Sequence, residues 1–314
     1  MLDQQLTTAG QAPREGSGSE PRALSFLSAA QIRAHPRWAL ARDYYMQVLV
    51  QSHSPDPAIR RVMQDIAGLV LFNLIIALYE ARGEARESWP TITRIREVFA
   101  TFGLASARSL DEMLARMRQI GLIELQTAPG DKRVRLIKPT ARMIAEDYAW
   151  HDNHMRALAV LQPDSRDYDA VFSHDALHRQ VHRAISNGLH DTAFDILDVE
   201  NNPLVAFIMR QDGAKIIFSY LQQALAGGDP SRVSLNYTTA SERIFTSRTH
   251  IRNLLSALED AGMLRRHGTG GNDIELMPAL WEHGDYFIAS MMSGNDRWWQ
   301  MTRQRVAAID QSTQ

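Results

Sequence analysis

The segment SRTHIRNLLSALEDAGML, residues 247–264, repeats the plan of SARSLDEMLARMRQIGLI, residues 106–123. At a shift of 141, Ser106 meets Ser247, Leu114 meets Leu255, Met117 meets Leu258 and Gly121 meets Gly262. A second block, PAIRRVMQDIAGLVLF from Pro57, lies over PLVAFIMRQDGAKIIF from Pro203 at a shift of 146, so that Met63 meets Met209 and Phe72 meets Phe218. A third, PTARMIAEDY over PALWEHGDY with one gap, brings Asp147 and Tyr148 onto Asp285 and Tyr286. Three blocks in one order, with small changes of shift between them, are hard to obtain from chance apolar periodicity. They read as one unit of roughly 100 residues used twice. Two copies are too few for a solenoid, so two duplicated domains are expected.

Within each copy the local signals follow one order. An apolar helix (LVLFNLIIALYEA; IIFSYLQQALA) is followed by a polar gap and then a short helix (TRIREVFATFG; TTASERIF). Thr239 and Glu242 have the spacing of a capping box at the start of the second of these. Next comes the repeated segment, where Ser106 and Ser247 stand one residue before the helical pattern, able to accept from first-turn amides. Leu110, Met113, Leu114 and Met117, against Ile251, Leu254, Leu255 and Leu258, recur at three and four residues and mark one buried face. Gly121 and Gly262 stand where a left-handed cap ends a helix. Two extended runs follow, LIELQ and KRVRLIK around TAPGD in the first copy, MLRRHG and DIELM around TGGN in the second, and each pair predicts a hairpin.

Helix, helix, helix and a two-stranded wing is the order of a winged helix-turn-helix. The predicted fold is mainly α with small β-wings: two tandem winged helix-turn-helix domains joined by helical extensions as an internal pseudo-dimer. On the third helix ending in RQIGLIEL, the wing PGDKRVRLIKPTARM and the long helices before and after the core, the chain resembles the multiple-antibiotic-resistance regulator (MarR) family. The resemblance covers residues 57–150 well and 203–290 weakly, because the second wing, HGTGGNDIELMP, lacks the Asp/Arg pair of the first. It implies flanking helices that form a dimer interface and a wing arginine that enters the minor groove, a role that falls on Arg133 with Asp131 as the wing aspartate. The expected organisation is a disordered tail over 1–22, a first unit with its flanking helices over 23–160, a linker over 161–173 and a second unit over 174–314.

A helix lying in the major groove presents its first-turn side chains to base edges, and Arg, Asn and His suit the donors and acceptors there. The second copy offers Arg248, Thr249, His250, Arg252 and Asn253. The first offers Arg108 and Ser109, followed by Asp111 and Glu112, two carboxylates that oppose phosphates unless they point away or read cytosine. Its wing adds Lys132, Arg133 and Arg135. The net charge of −2 over 314 residues gives no global case for nucleic acid, so the case is local. Residues 88–140 hold nine Lys/Arg against five Asp/Glu, whereas residues 231–277 hold six against five. The expectation is a sequence-specific double-stranded DNA-binding transcriptional regulator of MarR-like type, acting as a monomeric pseudo-dimer or a homodimer. Two rivals stay open: a winged-helix protein-interaction module of a chromosome-organising complex, and a plasmid replication initiator.

Other chemistry is thinly represented. Zero cysteines exclude disulfides, thiolate zinc sites and a cysteine nucleophile. His174, His178 and His182 recur every four residues, but no carboxylate or cysteine completes a ligand set at useful spacing, so no metal is expected. His151 and His154 read as helix-surface histidines. Trp38, Tyr44, Tyr45, Trp150, Trp281, Trp298 and Trp299 fall in the flanking helices, where packing between the halves is favoured over a pocket for a small-molecule effector. GTGG follows a strand and leads into another strand, unlike a phosphate-binding loop, and neither a nucleophile elbow nor a metalloprotease motif occurs, so no enzyme activity and no cofactor are expected. Residues 1–22 lack the apolar core of a signal peptide, and IAGLVLFNLIIALYEA is too short for a membrane span, which points to the cytoplasm.

Overall fold

The computed structural model describes residues 24–51, 56–63, 66–83, 85–165, 168, 176–186, 201–234, 236–268 and 272–313. Among the described residues it is mainly helical, 68% helix, with small antiparallel sheets. Helices α1 (Ala29–Ala34) and α2 (Trp38–Gln51) precede the first copy of the repeat. That copy runs α3 (Pro57–Met63), α4 (Ile66–Glu80), α5 (Ile92–Ala100), α6 (Ala107–Gln119), β1 (Ile123–Ala128), β2 (Asp131–Pro139) and α7 (Ala141–Leu161). Helix α8 (Ala176–Ser186) leads to the second copy: α9 (Val205–Ile208), α10 (Gly213–Ala226), β3 (Arg232–Ser234), α11 (Tyr237–Ile244), α12 (Arg248–Asp260), β4 (Leu264–His267), β5 (Asp273–Leu276) and α13 (Pro278–Thr313).

The repeated segment folds alike twice because its punctuation is the same. Ser106 accepts from the Ser109 amide at 3.2 Å, and Ser247 accepts from the His250 amide at 3.1 Å, each satisfying an orphan donor at the start of α6 or α12. Gly121 and Gly262 close the helices at φ +74° and +70°, a region that suits a residue without Cβ. The amides that follow, of Leu122 and Met263, donate 2.9 Å back to the carbonyls of Met117 and Leu258. Leu110, Leu114 and Met117 are buried as the periodicity requires, as are Ile251, Leu254, Leu255 and Leu258, while Met113 is half-buried.

Two local expectations are corrected. Helix α11 starts at Tyr237 under an Asn236 cap, whose side chain accepts from the Thr238 amide at 2.7 Å, so Thr239 lies inside the helix and forms no capping box. The polar gap before α11 contains β3, which pairs with β5 to give a sheet of order β3-β5-β4. In the first copy the same position is a single bridge from Thr91 to Leu136 beside the β1-β2 hairpin. The correspondence extends to single bonds: the Ile137 amide donates to Pro90 and the Leu276 amide to Ser231, both at 2.8 Å. The first hairpin turns at Pro129 and Gly130, the glycine at φ +75°. The tip of the second, residues 269–271, lies outside the described residues, as does His174.

Two main cores result. One is confined to the first copy and joins Ile59, Phe72, Phe99, Leu114, Ile137 and Met143. The other crosses between the halves: Ile32, Tyr45 and Leu49 of α1 and α2 and Met155 and Leu161 of α7 share it with Phe218, Leu255 and Trp299 of the second copy. Helix α2 packs on α10 and α7, and the long α13 packs on α1, α7 and α8. Tyr45 and Trp299 are fully buried there, and Trp38, Tyr44 and Trp281 pack against the same core.

His151 and His154, expected on the surface, are buried along α7. His154 Nδ1 lies 2.5 Å from the Tyr45 hydroxyl, and burial pushes that phenol far above its usual range. His151 Nε2 stands 3.3 Å from both Asp147 Oδ1 and Ser186 Oγ, and its ring meets that of His182 edge-on at 5.3 Å. Asp285, the repeat partner of Asp147, is half-buried with Arg42 at 3.7 Å, so one duplicated carboxylate has acquired two environments. Among the described residues no single helix is long and apolar enough to cross a membrane. The pair α3 and α4 reaches that apolarity only across a 98° bend, and α4 is the buried core helix of the first copy.

Candidate nucleic-acid interface

The Ser247 cap sets the first turn of α12 at the surface, and Arg248, Thr249, Arg252 and Asn253 are all exposed there. The spacing of four puts Arg248 and Arg252 on one face. The Arg252 guanidinium lies 5.9 Å from the centroid of the Tyr237 ring, which gives its long side chain a resting surface. His250 is placed differently: its Nε2 is 2.5 Å from the Gln211 carbonyl, so it ties the start of α12 to the loop before α10. That contact occupies one edge of the imidazole.

Arg108 and Ser109 occupy the equivalent turn of α6, and both are exposed. Neither of the neighbouring carboxylates is bare. Glu112 accepts from Arg108 Nε at 3.0 Å, and Asp111 is held by Arg96 from the preceding helix. In the first wing Lys132, Arg133 and Arg135 project from β2 and are exposed. Asp131 accepts the Arg133 backbone amide at 3.0 Å through one oxygen while its other oxygen meets Arg86 at 3.1 Å. The aspartate therefore fixes the backbone at Arg133 and leaves the guanidinium to the solvent side. Arg135 is bonded to the Thr127 hydroxyl across the hairpin. Lys138 is paired with Glu124 at 2.7 Å, and that hydrogen bond and charge hold its amine above the ordinary lysine value.

The second wing is electrostatically closed. Arg232 meets Asp273 at 2.6 Å, Arg266 meets Glu259 at 2.6 Å, and His267 and Arg265 share Glu275 at 3.0 and 3.8 Å. These bonds hold the carboxyls of Glu259 and Asp273 below their usual range, the arginine hydrogen bonds being the largest cause. The two copies thus differ: an exposed, arginine-bearing helix turn on the second, an exposed cationic hairpin on the first.

Sequence reasoning missed Arg86 and Arg96, which position Asp131 and Asp111 from outside the motif. It also missed Phe245, read as the end of a helix. Phe245 forms the turn between α11 and α12 at φ +61°, is 73% exposed, and has the Arg60 guanidinium 4.7 Å above its ring. No local signal marks it, because Arg60 lies on the other copy. Among the described residues no group of three His, Asp or Glu side chains could hold a metal, and His182 is spent at 3.1 Å from the Thr302 hydroxyl. Comparison of the chain with protein-family models, with curated proteins and with solved structures finds no match in any of the three.

Proposed function

We propose that the chain is a double-stranded DNA-binding transcriptional regulator, built as two tandem winged helix-turn-helix units of MarR-like type in a single-chain pseudo-dimer. One observation carries this reading. In both copies a serine-capped helix with an exposed first turn is followed by a β-hairpin, and on the copy whose wing is neutralised the helix turn carries Arg248, Thr249, Arg252 and Asn253 outward. Arginine and asparagine at a helix start can pair bidentately with guanine and adenine edges. Exposed Lys132 and Arg133 on the first wing supply charge for phosphates or a minor groove. The pseudo-dimer reading requires two half-sites about one DNA turn, roughly 34 Å, apart. Because the two helix turns differ, the site is asymmetric.

The test is selection of bound sequences from a random duplex library with the purified full chain, followed by footprinting of the winner. An enriched, non-palindromic motif protected over two adjacent turns supports the proposal. Absence of enrichment over random duplex, or a perfect palindrome bound by one chain, overturns it. The ion-paired second wing favours a second reading, a protein-interaction module, since paired charges resist counterion exchange with phosphate. On that reading no duplex is enriched.

A further inference from the structure

The turn before each repeated helix holds a residue in the left-handed region, and the two copies fill that place differently. In the first copy it is Gly103, at φ +62°, where the missing Cβ removes the steric cost. In the second it is Phe245, at φ +61°, a conformation that a bulky side chain keeps only when its surroundings impose it. Burial does not impose it, since the ring is mostly exposed. The contact that uses the ring comes from the other copy: the Arg60 guanidinium of α3 stands 4.7 Å from its centroid, within cation–π range. Duplication does not account for this pair. At the shift of 146 Arg60 meets Ala206, and at 141 Phe245 meets Leu104, which packs on the first copy's own core. Alanine and leucine cannot form the mirror image of the contact, so it is made by the first copy on the second in one direction.

We propose that Arg60 and Phe245 form a clasp that fixes the start of α12 relative to the first copy, and so sets the separation of DNA half-sites that the chain accepts. The spacer role rests on the DNA-binding reading. Phe245 stands two residues before the Ser247 cap, so a restraint on its ring acts on the helix start that carries Arg248 and Arg252. Helix α3 also packs on α6. The path from α6 through α3 and Arg60 to the turn before α12 therefore joins the two repeated helices directly. Helical bodies join the halves elsewhere: α2 packs on α10, and α8 packs on α4 with Arg183 at 2.8 Å from Glu80. Moving one half-site by a single base pair turns it by about a tenth of a DNA turn, which a clasped helix cannot follow.

The chain has no cysteine, so spin labels can be placed at chosen positions. Gln119→Cys and Asp260→Cys put them at equivalent exposed positions of α6 and α12. Double electron–electron resonance on the full chain then reads the spread of separations without DNA. Phe245→Gly keeps a residue suited to positive φ and removes the ring, and Arg60→Gln removes the cation. Both are expected to widen the distribution, with circular dichroism checking that each variant is folded. A second arm uses unlabelled protein and the selected motif with base pairs added or removed between its half-sites. In both variants the preference for the best spacing over one a base pair off falls by about two- to fivefold, the contribution of an exposed cation–π pair to an equilibrium, while the bases chosen within each half-site stay the same. A label distribution unchanged in both folded variants, or a spacing preference unchanged in both, overturns the proposal. A wild-type chain that enriches no duplex removes the DNA reading and the spacer role with it, and the label distributions then report on the clasp alone.

Discussion

Arg96 grips Asp111 through two of its nitrogens, with Nη2 2.8 and 2.9 Å from the two carboxylate oxygens and Nε 3.0 Å from the nearer one. The bond ties α5 to α6 and cancels a charge that otherwise faces any phosphate approaching the helix start.

Asp111→Asn is therefore expected to have a small effect on stability and a larger one on binding. The pair is half-exposed, so its loss costs about 0.2–1 kcal/mol in a denaturant melt. Freed from its partner, Arg96 becomes available to phosphate. Non-specific duplex affinity should rise, and the slope of log affinity against log salt should steepen by about one contact. An unchanged slope would separate α6 from the DNA.

Arg133→Ala is expected to weaken binding and make the salt slope shallower by about one contact, most clearly on A·T-rich duplex. Asp131→Asn tests the same point indirectly, because Asp131 accepts the Arg133 amide and draws in Arg86. Fluorescence anisotropy across a salt titration reads both variants. Equal slopes for wild type and Arg133→Ala would take the wing out of the interface.

Arg248→Ala and Arg252→Ala are expected to differ in kind. A lost bidentate base contact costs about 1–3 kcal/mol against one preferred base pair, whereas a lost phosphate contact weakens all sequences alike. Arg248 is exposed at the helix start, while Arg252 is backed by the Tyr237 ring. Base-by-base competition with substituted duplexes distinguishes the two effects. Specificity that survives both changes and collapses in Arg108→Ala would move base reading to α6.

Tyr45→Phe is expected to cost about 1–3 kcal/mol of global stability, the penalty of a buried group left without its partner. The tyrosine hydroxyl meets His154 Nδ1 at 2.5 Å inside the core that joins the halves. Chemical denaturation measures the loss. A change near zero would mean that water replaces the hydroxyl.

Asp285 gives the pH prediction. Burial raises its carboxyl above the ordinary aspartate value, with Arg42 and Arg33 opposing the shift. The folded state therefore binds this proton more readily than the unfolded chain. The stabilising contribution is complete below about pH 3.9, the unfolded value, and is lost as pH rises through the raised folded value. Asp285→Asn should flatten that part of the melting-temperature profile. An identical slope in the variant would assign it to other carboxylates.

The repeat was legible because its signals are backbone requirements. Ser106 and Ser247 cap because amides at a helix start need an acceptor, and Gly121 and Gly262 end helices because a positive φ disfavours a side chain. Strand β3 was illegible because RVS is too short for periodicity and is held by its pairing with β5, about 40 residues away. Thr239 misled because Asn236, three residues earlier, competes for the same role and wins. The burial of His154 depends on Tyr45, 109 residues distant, and no local window contains that pairing. The same limit hid two ion pairs: Arg96 and Arg86 act on Asp111 and Asp131 from neighbouring elements, so the sequence marked the carboxylates and not what neutralises them.

The core that crosses between the halves also sets an order of events during synthesis. The first copy can close its own core once Met143 has been made. Ile32, Tyr45 and Leu49 cannot, since their partners include Phe218, Leu255 and Trp299. At ribosomal speeds of about 5–20 residues per second, those N-terminal helices wait on the order of ten seconds or more with an apolar face uncovered. A nascent chain halted after the first copy thus carries a folded domain and an adhesive helix pair together, making the interval between the two copies the stage at which aggregation competes with folding.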